Sequence, residues 1–162
     1  MRIYLRTTPN DVIVPFDYQQ KIVGTIHKWL GNNEIHDKIF LYSFSWLLGG
    51  NMIMDKGYNF SKGATLFISF YENKYLKVLI DTILSDPEMF CGLSVKEVTF
   101  EREPTFTEEP AFFRLATPIF IKRLIEGNGK KEQKFYFYDD RESNDLMTET
   151  LKHKMREAGL PD

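Results

Sequence analysis

Gly31-Asn-Asn-Glu-Ile-His36-Asp-Lys38-Ile-Phe-Leu-Tyr-Ser43 is where a helix gives way to a strand, and the chain is arranged around that change. Upstream, Ile22, Ile26 and Leu30 recur at the spacing of one helix face, with Val23 beside them. His27 follows Val23 by one turn and falls on the edge of that stripe, a half-sheltered position. Gly31 supplies the C-terminal stop. Downstream, alternation over residues 39–46 puts Phe40, Tyr42, Phe44 and Trp46 on one face of a strand. Leu41, Ser43 and Ser45 take the other face.

Working outward, residues 1–8 alternate as well. Ile3 and Leu5 point to a core, while Arg2, Tyr4 and Arg6 point to an accessible face. Pro15-Phe-Asp17 opens the first helix, and Asp17 with Gln20 has the pattern of a capping box. Gly24 leaves room for a close neighbour. Lys56-Gly57 and Lys62-Gly63 mark turns in a connection. Residues 64–71 form the third strand. Asn73 caps a helix over 74–84 whose apolar face is Leu76, Leu79, Ile80 and Ile83, and Asp86-Pro87 ends it. Residues 93–102 form a fourth strand whose broken alternation suggests a bulge.

The order β-α-β-β-α-β predicts an α+β, ferredoxin-like domain over residues 1–104, with an antiparallel four-stranded sheet and both helices on one face. Residues 105–110 read as a linker. Beyond it, residues 112–122 are extended, Glu126-Gly-Asn-Gly129 turns, and residues 135–138 pair back. Ser143 or Asn144 then caps a helix through about residue 157, closed by Gly159. Two strands and a helix are a small core, so 111–162 reads as the opening of a second, incomplete ferredoxin-like domain. Its apolar residues, Phe135 and Phe137 among them, then need cover, and self-association through this part is expected.

Composition narrows the function classes. With 43% hydrophobic residues the chain can fill a core, and a net charge of −2 excludes a basic field over the whole chain. Any nucleic-acid partner must meet a local patch. One cysteine, Cys91, excludes an internal disulfide and a cysteine-rich zinc site. No signal peptide and no membrane-length apolar run is present, so a cytoplasmic, soluble protein is expected. His27 and His36 also lack a familiar metal spacing, and neither a metal nor another cofactor is expected.

His27, His36 and Lys38 are the residue types that metal-free cleavage of RNA requires. One imidazole takes a proton from the 2′-hydroxyl and another returns one to the departing 5′-oxygen. An ammonium neutralises the phosphorane-like oxygens. The same residues are equally those of an ordinary helix boundary and a solvated loop. Lys122, Arg123, Lys130, Lys131 and Lys134 cluster in the predicted hairpin, as a solvated face or as a phosphate-binding patch.

Several segments together resemble the CRISPR-associated endoribonucleases that cut repeat transcripts into guide RNAs, in the repeat-associated mysterious protein superfamily. They are the opening strand, Pro15-Phe-Asp-Tyr-Gln-Gln20, Ile22-Val-Gly-Thr-Ile-His27 and His36-Asp-Lys-Ile-Phe-Leu-Tyr-Ser43. Leu84-Ser-Asp-Pro87, Thr117-Pro118-Ile and Leu151-Lys-His-Lys154 extend the likeness down the chain. The resemblance implies cleavage that leaves a 2′,3′-cyclic phosphate and a 5′-hydroxyl. It places His36 as general acid or base, His27 as its partner and Lys38 as the cation. The place of the two histidines, at the end of one helix and in the loop after it, predicts imidazoles within about 10 Å, the span of one phosphodiester. It implies CRISPR repeat RNA as partner, and CRISPR effector-complex proteins beside it. Arg2, Arg6, Lys122, Arg123, Lys130, Lys131 and Lys134 are then the RNA-binding candidates. The chain departs from the family in ending after the second domain's first helix, without a glycine-rich C-terminal loop. A non-catalytic RNA-binding module and a protein-interaction domain on the same fold are the competing readings.

Overall fold

Alternation in the first strand decides what the sheet buries. In a computed structural model, which describes residues 1–31, 41–101, 121–127 and 130–161, Ile3 and Leu5 of β1 (Arg2–Thr7) are fully buried. The chain continues through α1 (Gln19–Leu30), β2 (Tyr42–Phe44), β3 (Asn51–Ile53), β4 (Gly57–Asn59) and β5 (Thr65–Phe70). Helix α2 (Asn73–Ser85) and β6 (Val95–Glu101) follow. The main sheet has the order β2-β5-β1-β6, antiparallel throughout. That is the ferredoxin-like arrangement the element order implied. Ile22, Ile26 and Leu30 of α1 share one core with Leu76, Leu79 and Ile83 of α2 and with Leu66 and Ile68 of β5. Both helices therefore cover the Ile3/Leu5 face. The opposite face carries Arg2, Tyr4 and Arg6 beside Ser69, Phe67 and Thr65.

The bulge in the last sheet strand is present. Arg6 pairs with Glu97 but Thr7 with Val95, which leaves Lys96 as the extra residue. Thr7 is buried at that point, and its hydroxyl accepts the Ala64 N–H at 2.8 Å.

Five local expectations are corrected. The Asp17–Gln20 capping box does not form, for α1 begins at Gln19 behind Tyr18 with no side-chain cap. Its start is set by tertiary contact. Tyr18 is buried, its hydroxyl accepts the Leu47 N–H at 3.1 Å, and burial pushes its phenol above the ordinary value of 10.0. Asn73 is the first residue of α2, not its cap, and that helix too has no side-chain cap. Among the described residues nothing lies within 4 Å of a Cβ built at Gly24, so none of them makes the expected close approach. The connection between the second and third sheet strands is a β-hairpin, β3 with β4. Its return requires Gly57, where φ is 138° and a Cβ would lie 2.0 Å from the Val14 carbonyl oxygen. The aromatic strand, read over 39–46, is regular over Tyr42–Phe44; Trp46 is exposed, and residues 39 and 40 lie outside the described part.

The chain divides into two units, Met1–Pro104 and Thr105–Asp162. The predicted linker at 105–110 lies outside the described residues. In the second unit β7 (Ile121–Gly127) pairs with β8 (Lys130–Tyr136), and α3 (Ser143–Glu157) follows. Ser143 does not cap α3. Its hydroxyl donates to the Phe137 carbonyl instead and ties the helix start to the end of the hairpin. At the other end the Gly159 N–H reaches the Arg156 carbonyl and the Leu160 N–H that of Met155, the paired bonds of a Schellman stop. Among the described residues of this unit only Ile121 and Ser143 are buried. No helix among the described residues is long and apolar enough to cross a membrane.

Candidate functional site

The last turn of α1 is tied to the end of α2, where the Trp29 Nε1–H donates to the Asp86 carbonyl at 2.8 Å. The Gly31 N–H closes the helix on the His27 carbonyl at 3.0 Å, with φ 68° at Gly31. His27 lies in this last turn and is half-buried, between buried Ile26 and exposed Lys28. The chain re-enters the described structure at Leu41, whose carbonyl accepts the Tyr71 N–H at 3.0 Å just after β5. Tyr42 follows, stacked on Phe70 with ring centroids 5.5 Å apart. Burial raises the Tyr42 phenol above its ordinary value, so the ring is a neutral wall at this end. His36 and Lys38 belong to residues 32–40, outside the described residues. The predicted separation of His27 from His36 falls there too.

The two arginines of β1 are not equivalent. Arg2 pairs with Ser69 near the end of β5 and with Glu101 at the end of β6, so it belongs to the same end of the sheet as Tyr42, which stands opposite Phe70. Arg6 sits four residues further along, roughly 13 Å away at strand rise. Neither guanidinium stands alone. Arg2 donates to Ser69 Oγ at 2.9 Å, pairs with Glu101 at 3.1 Å and lies 4.5 Å from the Phe67 ring centroid. Arg6 pairs with Glu97 at 3.3 Å. A phosphate at either residue has to share the cation with a carboxylate. Sequence reading missed these carboxylates because they lie more than 90 residues away and depend on strand register.

The basic cluster of the second unit is divided by the strand period. Arg123 stands opposite Lys134, while Lys122 stands opposite Phe135 and Lys131 opposite Glu126. Side chains one residue apart point to opposite faces, so Arg123 with Lys134 occupies one face and Lys122 with Lys131 the other. Arg123 faces α3, donating to Thr150 Oγ1 at 2.8 Å. Lys134 lies 4.3 Å from the Tyr136 ring centroid. Lys130 pairs with Gly127. The expected single patch is thus two smaller ones. Period-two alternation, applied to residues 121–136, was the signal that would have separated them.

Other reactive residues occupy structural places. Cys91 is half-buried with φ 55°, and its carbonyl accepts the Asp11 N–H at 2.9 Å. His153 is exposed on α3. Among the described residues no group of three His, Cys, Asp or Glu side chains is placed to hold a metal.

No protein-family model matches the chain, and no curated protein matches it. Its fold does match solved structures. A Cas6-related protein from Pyrococcus furiosus aligns over 100% of this chain and 73% of its own length, at 18% identity and a TM-score of 0.82. A RAMP protein that binds different RNA substrates aligns over 99% of this chain and 72% of its own, at 17% identity and a TM-score of 0.79. A CRISPR-associated Cas6 protein aligns over 96% and 72%, at 17% identity and a TM-score of 0.70. The chain therefore has the ferredoxin-like fold of these Cas6 and RAMP structures.

Proposed function

We propose that this chain recognises CRISPR repeat RNA and cuts it without a metal ion, with His36, His27 and Lys38 as the reacting groups. The observation that carries this reading is the likeness to a Cas6-related protein across the whole chain, at a TM-score of 0.82. The position of His27 supports it. His27 is half-buried in the last turn of α1, immediately before the segment that carries His36 and Lys38.

The chemistry follows from the residue types. One imidazole removes the 2′-hydroxyl proton, and O2′ attacks the adjacent phosphorus. The P–O5′ bond breaks, and the other imidazole gives its proton to O5′. The products are a 2′,3′-cyclic phosphate and a 5′-hydroxyl. Lys38 offsets the charge that builds on the non-bridging oxygens. Of the two β1 arginines, Arg2 is assigned to a flanking phosphate, by exchange with Glu101, because it shares its end of the sheet with Tyr42, which follows the segment that carries His36 and Lys38.

A second reading is a non-catalytic RNA-binding module. It is favoured by the likeness to a RAMP protein known for binding RNA substrates. Incubation of end-labelled repeat RNA with the chain in EDTA separates the two. The first reading expects a cyclic-phosphate product, and His36→Ala should slow its formation by about 10²–10⁴-fold. His27→Ala should cost a comparable factor, and Lys38→Ala should reduce cleavage more than binding. An unchanged rate in His36→Ala rejects the assignment. Salt-sensitive binding without any cleavage moves the chain to the second reading.

A further inference from the structure

The hairpin that interrupts the ferredoxin-like order has an open edge. Val14 and Tyr58 exchange backbone hydrogen bonds at 3.0 and 2.7 Å, so β4 lies between the Val14 segment and β3. In an antiparallel ladder the N–H and carbonyl of one residue point to the same side. Those of Tyr58 point to Val14. Met52, opposite Tyr58, is therefore in a non-hydrogen-bonded pair, and its own N–H and carbonyl point away from the hairpin. Among the described residues nothing pairs with that side of β3.

Strand edges of this kind are usually protected by charge, proline or cover. The outer strand β6 of the main sheet has Lys96, Glu97 and Glu101. Strand β3 and the residue after it, Asn51-Met-Ile-Met54, carry no charge and no proline. Met52 is 66% exposed and Met54 78%, and Phe16, exposed too, packs edge-on against Tyr58 on the neighbouring strand. An unguarded edge with two flexible thioethers beside an aromatic ring is built for contact with another chain.

We propose that β3 docks onto the β3 strand of a second copy of this chain, antiparallel and centred on Met52. The outward pair of groups selects a polypeptide over RNA. A phosphate could accept from the N–H but would leave the carbonyl unpaired. An identical strand satisfies both, since each Met52 N–H then donates to the carbonyl of the other across a two-fold axis. No like charges oppose one another in that register, because residues 51–54 are uncharged. The two short ladders become one continuous sheet, and the Met52 side chains are covered. The contact belongs to the first unit and does not involve the aromatic residues of the second.

Sedimentation velocity of the full chain over a roughly hundredfold concentration range tests this. The expected result is a shift from monomer to dimer as concentration rises. Met52→Pro removes the outward N–H and breaks no bond within the hairpin. Met52→Lys sets two like charges against each other, and because the side chain is mostly exposed it leaves the hairpin fold intact. Each should weaken association at least about tenfold, while Leu124→Lys in the second unit leaves it unchanged. A chain that stays monomeric throughout overturns the proposal. So does a dimer that both Met52 variants retain, or one that Leu124→Lys alone abolishes.

Discussion

The two units contain the same kinds of element and bury very different amounts of them. In Met1–Pro104 the sheet is closed over by two helices, and Ile3, Leu5, Ile22, Ile26, Trp29, Leu66 and Ile68 are all fully buried. In Thr105–Asp162 a hairpin meets one helix, and Leu124 is 65% exposed, with Phe135, Phe137 and Leu151 exposed as well. The hairpin is not short of backbone pairing, since β7 and β8 match over seven residues each. What differs is the breadth of the two layers. Two strands with one helix enclose little apolar surface, whereas four strands under two helices enclose a full core. Backbone hydrogen bonds specify the second unit, and apolar burial stabilises the first.

The sharpest way to break that contrast is to remove a methyl-rich side chain from each unit. Leu5→Ala should cost about 2–5 kcal/mol, because the site is fully enclosed and collapses poorly. Leu124→Ala should stay within about 0.5 kcal/mol of wild type. Both tryptophans, Trp29 and Trp46, lie in the first unit, so urea unfolding followed by tryptophan fluorescence reports on that unit. If Leu124→Ala moves the fluorescence transition as far as Leu5→Ala does, the units unfold together and the comparison fails.

A smaller effect tests the buried polar link between β1 and β5. The Thr7 hydroxyl accepts the Ala64 N–H and donates to the Thr8 carbonyl, both at 2.8 Å. Thr7→Val keeps the shape and leaves the buried amide of Ala64 without its acceptor. The expected loss is about 1–3 kcal/mol in the same fluorescence assay. A neutral result would mean that water or a shifted strand replaces the hydroxyl.

The first unit was legible because its signals are periodic and long. Ile3 and Leu5, and then Ile22, Ile26 and Leu30, specify their faces without reference to anything distant. The hairpin at Asn51–Asn59 was missed because three-residue strands are too short to display a period. Only the Asp55-Lys-Gly57 turn, with φ 57° at Asp55, marked it. Caps were over-read at Asp17, Asn73 and Ser143, and at the first and last of these other bonds fix the helix start. Tyr18 does so through Leu47, and Ser143 through Phe137. The candidate site was legible as residue types, and the place of His27 on the helix edge follows from its spacing. The carboxylates that hold Arg2 and Arg6 depend on register and were not legible as a list of charges, whereas the opposite facing of Lys122 and Arg123 follows from alternation along one strand.

A more local change sharpens the contrast from the side of the second unit. Ser143→Ala removes the bond to the Phe137 carbonyl and should loosen the start of α3 by about 0.5–1.5 kcal/mol. Hydrogen exchange should rise in residues 143–147 while tryptophan fluorescence stays unchanged. Movement of both signals together would show that the second unit draws its stability from the first.

The smallest effect concerns the ion pair that closes α1 against the end of α2. Lys28 Nζ lies 2.9 Å from Asp86 Oδ2, and the hydrogen bond from Lys28 holds the Asp86 carboxyl below its ordinary value of 3.8. Both side chains are well exposed to solvent, so screening limits what the pair contributes. Its sign is nevertheless fixed. A carboxyl whose pKa is lower folded than unfolded contributes stability above the unfolded value, and that contribution disappears as pH falls through the folded value. Lys28→Met should raise the Asp86 pKa toward 3.8, read by carboxylate carbon NMR, and should flatten the loss of stability in that acid window. Lys28 also donates to the Glu88 carbonyl at 2.6 Å and lies 5.9 Å from the Trp29 ring centroid, and neither partner titrates there. Any difference between wild type and variant that persists below the folded pKa of Asp86 therefore measures those two contacts, and the part that vanishes measures the ion pair. A difference that is constant through the whole window would mean that Asp86 gains nothing from Lys28, and that the α1 terminus is held instead by the Trp29 Nε1 bond to the Asp86 carbonyl at 2.8 Å.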